Sequence, residues 1–392
     1  MEEESSRRLQ IKYFITGAAA ACLALALLYF LFMYLPVRTE SPEKPDSLSA
    51  YRKVKEIENL IEHYYLEDYE EQQLTDYMYL GLVTGLGDQY STYYTEEQYE
   101  ELKKSQEGSY TGLGITISQN SGDGKIYVVN CVEDSPADQA GIQEGDQLVS
   151  VDGISTEGRT TSEVIDMIGG SADGQVELEI LRDGSALDLQ LEMATVEMQS
   201  VEGRMLEDQV GYIQITRFTG VTSEQFQETY QNLREQGMKK LVIDLRENPG
   251  GLVNAVCDTL RQILPEGLIV YTEDKNGNRS EEWCEGETPI DMPLAVLVNG
   301  ESASASEIFA GAVKDYEIGT LVGTTTFGKG IVQDLFTLSD GSVLRLTVSR
   351  YYTPNGNNIH GTGITPDIVV EQPEDGSTDA QLEKALEVLR SE

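Results

Sequence analysis

Residues 298–333 read VNGESASASEIFAGAVKDYEIGTLVGTTTFGKGIVQ, and the organisation of the chain follows from how this stretch is parsed. It opens on the end of an apolar run, PLAVLVN over 293–299, that reads as a strand. Ser304-Ala-Ser-Glu307 then precedes Ile308, Phe309, Ala312, Val313 and Tyr316, apolar positions at helical spacing. A serine followed three residues later by glutamate at the head of such a pattern is a capping box. A strand turning into a helix is the unit of an α/β core.

The alternation continues upstream. YIQI (212–215), a helix over Glu224–Gln236, LVIDLR (241–246), a helix around Val253–Ile263 and LIVYT (268–272) follow one another. Residues 197–392 are thus expected to form an α/β unit, closed by a short amphipathic helix over Thr378–Leu389. Residues 107–196 switch to short strands between glycine turns, with one helix near Thr161–Ile168. Residues 51–106 space Val54, Ile57, Leu60, Ile61 and Tyr64, then Leu74, Met78, Leu82 and Val83, as helices do, and show no chemistry. Residues 36–50 (PVRTESPEKPDSLSA) carry three prolines and read as a linker.

From Tyr13 to Leu35 the chain is uncharged and almost wholly apolar. At about 1.5 Å of rise per residue such a run crosses a bilayer core of roughly 30 Å. It ends in bulky Phe32, Met33 and Tyr34 rather than a small-residue cleavage site, so an anchor is expected and not a removed signal. Arg7, Arg8 and Lys12 before the run and Arg38 and Lys44 after it leave only a slight charge bias. The simpler topology puts residues 1–12 in the cytoplasm and the bulk outside, giving a single-pass protein of the cell membrane.

Composition excludes several functions. A formal charge of −40, with no basic patch, makes nucleic acid an improbable partner. Cys22, Cys131, Cys257 and Cys284 lie far apart and form neither a disulfide framework nor a zinc pattern, although Cys257 and Cys284 are left as a pair that an oxidising compartment would join. Only His63 and His360 exist, both read as structural or surface residues, so no metal centre is expected. Gly323 through Lys329 satisfies GxxxxGK, but Gly330 stands where a phosphate loop needs a hydroxyl.

Two stretches, Tyr110-Thr-Gly-Leu-Gly-Ile115 and SPADQAGIQEGDQLVSVDGIS over 135–155, together resemble a PDZ domain of the type found in proteases. Backbone amides at Gly112, Leu113, Gly114 and Ile115 would cradle a peptide's terminal carboxylate, and the strand beyond would accept the peptide as an added strand.

The SASASE and FGKGIVQ segments, 25 positions apart from Ser304 to Lys329, closely resemble the C-terminal processing peptidases, or tail-specific proteases. The resemblance spans about 51–390 and implies that family's α/β protease core with an inserted PDZ domain, a small N-terminal helical unit and, here, one transmembrane helix. It implies Ser304 as nucleophile, Lys329 as base and Gln333 as the residue that orients the lysine. The Glu247-Asn-Pro-Gly-Gly251 turn after LVIDLR resembles one the family carries there, and that likeness implies oxyanion donors at Gly251 and Ala305. Gly363-Ile-Thr-Pro-Asp367 belongs to the same likeness, whereas Leu86-Gly-Asp-Gln-Tyr-Ser91 matches only loosely. The chemistry agrees with it. Serine needs a neighbour to take its proton, and lysine, with a reference pKa near 10.4, must lose roughly 4–5 kcal/mol of preference for its charged form to serve near pH 7. Apolar neighbours such as Phe327, Ile331 and Val332 are expected to help by desolvation.

The expectation is therefore a membrane-anchored serine endopeptidase without metal or organic cofactor, acting on protein C-termini and gated by its PDZ domain, with a homo-oligomer left open. The rival is an inactive tethered PDZ adaptor, which intact Ser304, Lys329 and Gln333 argue against.

Overall fold

The computed structural model describes residues 47–373 and 376–391, so the expected membrane span at 13–35 lies outside them. No described helix is long and apolar enough to cross a membrane. The chain divides into two compact units between Glu71 and Gln72. In the first, helix α1 (Ser47–Tyr64) is amphipathic, with Tyr51, Ile57, Leu60 and Tyr64 exposed.

From the boundary onward the chain forms α2 (Glu71–Thr84), β1 (Thr92–Tyr94) and α3 (Glu96–Glu107). There follow β2 (Ser109–Gly112), β3 (Ile115–Gln119), β4 (Ile126–Cys131), α4 (Pro136–Gln139), β5 (Gln147–Val151), β6 (Ile154–Ser155), α5 (Thr161–Gly169), β7 (Gln175–Arg182), β8 (Ser185–Glu192) and β9 (Ala194–Glu197). Next come β10 (Val201–Met205), β11 (Val210–Ile215), α6 (Thr222–Glu235), β12 (Lys240–Asp244), α7 (Val253–Leu260), β13 (Gly267–Asp274), β14 (Arg279–Cys284) and β15 (Leu294–Val298). The chain closes with α8 (Ala305–Asp315), β16 (Thr320–Gly323), β17 (Ile331–Thr337), β18 (Val343–Tyr352), β19 (Ile368–Val369) and α9 (Ala380–Ser391).

The central sheet runs β10-β11-β12-β15-β16-β19, parallel throughout except for β10 against β11. Covering both faces makes the middle strands continuously apolar, and all five residues of β15 are buried. The period of two divides them. Val296 and Val298 pack with Ile243, Phe226, Val256, Ile308 and Phe309 under α6, α7 and α8. Ala295 and Leu297 pack with Val242, Val322, Ala385 and Leu389 under α9. Arg246, bonded to Asp244 and Asp379, ties the end of β12 to the start of α9.

A second sheet, β1-β18-β13-β14 with β17 also on β18, stands beside the first. Its membership alters the expected division of the chain. Residues 51–106 are not purely helical, because Thr92–Tyr94 pairs antiparallel with Val343–Arg345. A three-residue strand carries too little periodicity to register beside long helices.

Residues 109–197 form a separate β-domain with its own core around Leu113, Ile126, Leu148, Val164, Leu178 and Ile180. Its sheet runs β3-β4-β5-β7-β8, and β2 pairs antiparallel with β9, so the chain enters and leaves side by side. Among the described residues, strand β3 is bonded on one edge only, to β4. Cys131, Cys257 and Cys284 are all free thiols, so the pairing of Cys257 with Cys284 that an oxidising compartment would permit is not formed.

Candidate active site

The turn that carries Ser304 is built from the end of β15. Asn299 Oδ1 accepts the amides of Glu247 and Glu301, each at 3.1 Å, and Ser302 Oγ donates to Leu245 O at 2.8 Å. Ser304 then adopts φ 54° and ψ −111°, a left-handed conformation that strains a residue with a side chain, immediately before α8. Fixed contacts hold it there. Its amide donates to Glu307 Oε2 at 2.8 Å, and the buried Tyr351 hydroxyl donates to its carbonyl at 3.0 Å.

The Asn-Pro-Gly-Gly turn packs directly on this loop. Buried Asn248 donates through Nδ2 to Ile215 O at 2.8 Å, while its own carbonyl accepts from Ala303 N and Ser306 Oγ. Gly250 has φ 99°, and a Cβ there would lie 2.6 Å from Ala303 O and 2.9 Å from Ala305 N, so only glycine permits the approach. Gly251 forms an isolated parallel bridge with Phe218 in which the bonds use Gly250 O and Leu252 N, leaving the Gly251 amide outside the pair. Ala305 is the first residue of α8, where amides have no partner within the helix.

Lys329 arrives on the loop between β16 and β17, and Glu307 holds that loop too. Thr326 Oγ1 and Gly328 N donate to Glu307 Oε1 at 2.6 and 2.7 Å, and Lys329 N donates to Oε2 at 2.8 Å. Together with Ser304 N, these four donors saturate a carboxylate that has 0% exposure. From sequence Glu307 reads as a helix cap; that it also binds the lysine loop depends on partners some twenty residues away.

Ser304 and Lys329 line one cavity of about 340 Å³, with Phe218, Gly251, Leu252, Ile308, Ile331, Gln333 and Arg345 among its walls and Leu102, Ser105 and Gln106 of α3 along one side. Burial, the largest cause, and the positive charge of Arg345 push the half-buried Lys329 amine below the ordinary lysine range, against the opposing influence of Asp88 and Glu307. The surroundings differ from the expected ones. Ile331 is buried, but Phe327 is 51% exposed and does not cover the amine. Lys329 Nζ instead lies 4.8 Å from the centroid of the Tyr90 ring. Among the described residues it has no hydrogen bond to Ser304 and no carboxylate within ion-pair distance. Gln333 Nε2 donates to Thr347 Oγ1 at 3.3 Å and not to the lysine. Residues 88–91, expected to carry no chemistry, therefore border the amine.

The PDZ-like loop sits at the start of its own domain. Leu113 O and Gly114 O accept from Ala137 N and Val132 N, at 2.9 and 2.8 Å. Leu113 and Gly114 amides have no protein partner among the described residues. Gly112 and Ile115 are the last and first residues of β2 and β3. Gly114, at φ 81°, would overlap Ser135 if it bore a side chain. His63 Nδ1 donates to Asn59 O at 2.8 Å within α1, and His360 is exposed.

Against known families, residues 209–370 match Peptidase family S41 and residues 127–182 match the PDZ domain. The carboxyl-terminal-processing protease of Synechocystis sp. is 37% identical over 305 residues, spanning 75% of this chain and 71% of its own. Carboxy-terminal processing protease CtpA of Bacillus subtilis is 32% identical over 367 residues, spanning 93% and 78%. Among solved structures, the photosystem II D1 C-terminal processing protease is 32% identical with a TM-score of 0.49, over 87% of this chain and 96% of that one.

Glu307→Gln tests the clamp. Whichever oxygen becomes an amide nitrogen then faces two donors, so the turns at Ser304 and Lys329 lose register. The expected result is a fall in kcat of roughly 10- to 1000-fold in a protein that still folds, read by peptide cleavage beside circular dichroism. Undiminished kcat would remove Glu307 from the site.

Proposed function

Because the chain belongs to peptidase family S41 and is a serine-type peptidase of the carboxyl-terminal-processing kind, we propose that Ser304 and Lys329 form its catalytic dyad. The observation that carries this reading is their common cavity, with a strained serine at a helix start and a lysine amine pushed toward neutrality. In the proposed cycle neutral Lys329 takes the Ser304 proton as Oγ attacks a peptide carbonyl. The amides of Gly251 and Ala305 meet the developing oxyanion. The lysine ammonium returns the proton to the leaving amine, and water, deprotonated by the same lysine, resolves the ester. Gln333 supports this indirectly, bracing Thr347 on the adjacent strand.

The substrates proposed are protein tails. The unused amides of Leu113 and Gly114, flanked by Gly112 and Ile115, suit a terminal carboxylate, and the free edge of β3 suits an added peptide strand. Gating is supported by connectivity. Helix α3 contributes to the catalytic cavity wall, ends at left-handed Gly108, and leads through β2 into the carboxylate loop within a few residues. A tail seated at Leu113 is thereby positioned to bias the cavity wall. The apolar run at 13–35 supports anchoring in the cell membrane with the catalytic part outside the cytoplasm.

Three outcomes are expected. Ser304→Ala and Lys329→Ala each lower kcat on an unfolded protein substrate by roughly 10³-fold or more in the full chain, and full proteolysis by Lys329→Ala would refute the dyad. A tail peptide with a free carboxylate binds the Ser304→Ala protein about tenfold or more tighter than its C-terminal amide, measured by calorimetry; equal affinities would count against the loop. The expressed full chain sediments with membranes through alkaline washing, and deleting residues 1–35 releases it; a full chain found in the soluble fraction would exclude the anchor.

A further inference from the structure

The turn at 88–91 is fixed on every side. Asp88 Oδ1 accepts from Tyr90 N at 3.0 Å, Asp88 Oδ2 accepts from Ser91 Oγ at 2.6 Å, and Ser91 Oγ in turn accepts from Thr347 N at 3.0 Å. The Tyr90 carbonyl accepts from Arg345 Nε at 3.1 Å. Both ends of the Tyr90 residue are thus held, and its ring faces Lys329 Nζ. Arg345 is half-buried, sits opposite Thr92 in the β1–β18 ladder, and rests its guanidinium 5.3 Å from the centroid of the Tyr94 ring. It has no carboxylate within ion-pair distance among the described residues. In a chain with 68 acidic and 28 basic residues, a half-buried guanidinium without a counter-ion has its charge directed elsewhere. Here the neighbouring wall of its cavity carries Lys329.

We propose that Tyr90 and Arg345 form a positioning pair for Lys329. The ring face retains the ammonium in a resting place off the nucleophile, while the guanidinium, anchored on the Tyr90 carbonyl, repels that ammonium and favours the neutral amine that reaches Ser304. A ring quadrupole attracts a cation and has no such hold on a neutral amine, so losing the proton also releases the side chain from Tyr90. The guanidinium stays charged at every relevant pH, so its repulsion is constant. The groups that face the amine divide by sign. Arg345 on β18 and burial disfavour the charged form; Asp88 before β1, Glu307 on α8 and the Tyr90 ring favour it. Arg217 lines the same cavity and adds to the positive side. This inference rests on Lys329 being the base of the reaction proposed above.

The test reads the amine directly and through catalysis. In the full-length Ser304→Ala protein with ¹³C-labelled lysine, the Cε resonance of Lys329 is titrated, identified by its loss in a second variant, Lys329→Met. In the active full chain, the acid limb of kcat/KM is followed on a peptide reporter. Because the working form is the neutral amine, anything that raises its pKa moves that limb to higher pH. Arg345→Gln is expected to move both midpoints upward by on the order of one unit, and so to lower kcat/KM about tenfold on the acid side. Arg345→Lys restores them. Tyr90→Leu moves them downward by roughly half a unit, and Tyr90→Phe, which keeps the ring, leaves them in place. No shift in Arg345→Gln, or a Tyr90→Phe that behaves as Tyr90→Leu does, would overturn the pairing. An amine midpoint that moves while the kcat/KM limb stays fixed would support the pairing and count against Lys329 as the base.

Discussion

Glu307 accepts the amides of Ser304, Gly328 and Lys329 and the hydroxyl of Thr326 with none of its surface exposed. Removing an ionised carboxylate from water costs several kcal/mol unless its lone pairs are filled. The four donors that fill them come from two segments about twenty residues apart, so the buried charge is tolerable only when both loops are in place. The same bonds that stabilise the fold therefore hold the Ser304 turn against the Lys329 loop. The carboxylate also favours the charged lysine. That the Lys329 amine is nevertheless pushed downward shows burial and Arg345 outweighing it.

Around this clamp the site is a lamination of backbone segments with no room for side chains between them. A Cβ on Gly328 would stand 2.9 Å from Gly363 N, and one on Gly330 2.6 Å from His360 N. The stretch from Asn358 to Ile364 thus backs the lysine loop, with Thr326 Oγ1 accepting from Ile364 N at 2.8 Å and Gly361 N donating to Gly328 O at 2.8 Å. On the Ser304 side Gly250 does the same against Ala303. Positions are fixed by backbone contact, which side-chain motion cannot relax, and this is how a strained Ser304 persists.

Local chemistry in the sequence carried much of this. The strand at 293–299, the helix after Ser304 and the alternation around them are periodic signals that the structure reproduces within a few residues. The glycine turns of the β-domain and the Asn-Pro-Gly-Gly turn are likewise local. What the sequence withheld is non-local. Arg345 meets Tyr90 across 255 positions, and the three residues of β1 are too few to show a period. Phe327 read as a greasy neighbour of the lysine because adjacency in sequence was the only guide, yet its side chain is half exposed. Gln333 is a comparable case. A bulge between Val332 and Gln333 shifts the register against β18, and the amide is taken up by Thr347.

A charge of −40 on the chain favours protonated lysines, since a negative field stabilises cations. Distance decides otherwise. At physiological ionic strength exposed charges beyond about 8 Å are largely screened, whereas partly buried neighbours are not. Among the described residues, the walls of the cavity shared by Ser304 and Lys329 carry Arg217, Lys329 and Arg345 and no carboxylate, so the field inside it opposes the field of the whole. An acidic exterior repels polyanions without touching the proton balance of the amine. The protonation of Lys329 is accordingly a property of a handful of residues drawn from the turn before β1, from α8 and from β18, and the chain's overall acidity is free to serve other ends.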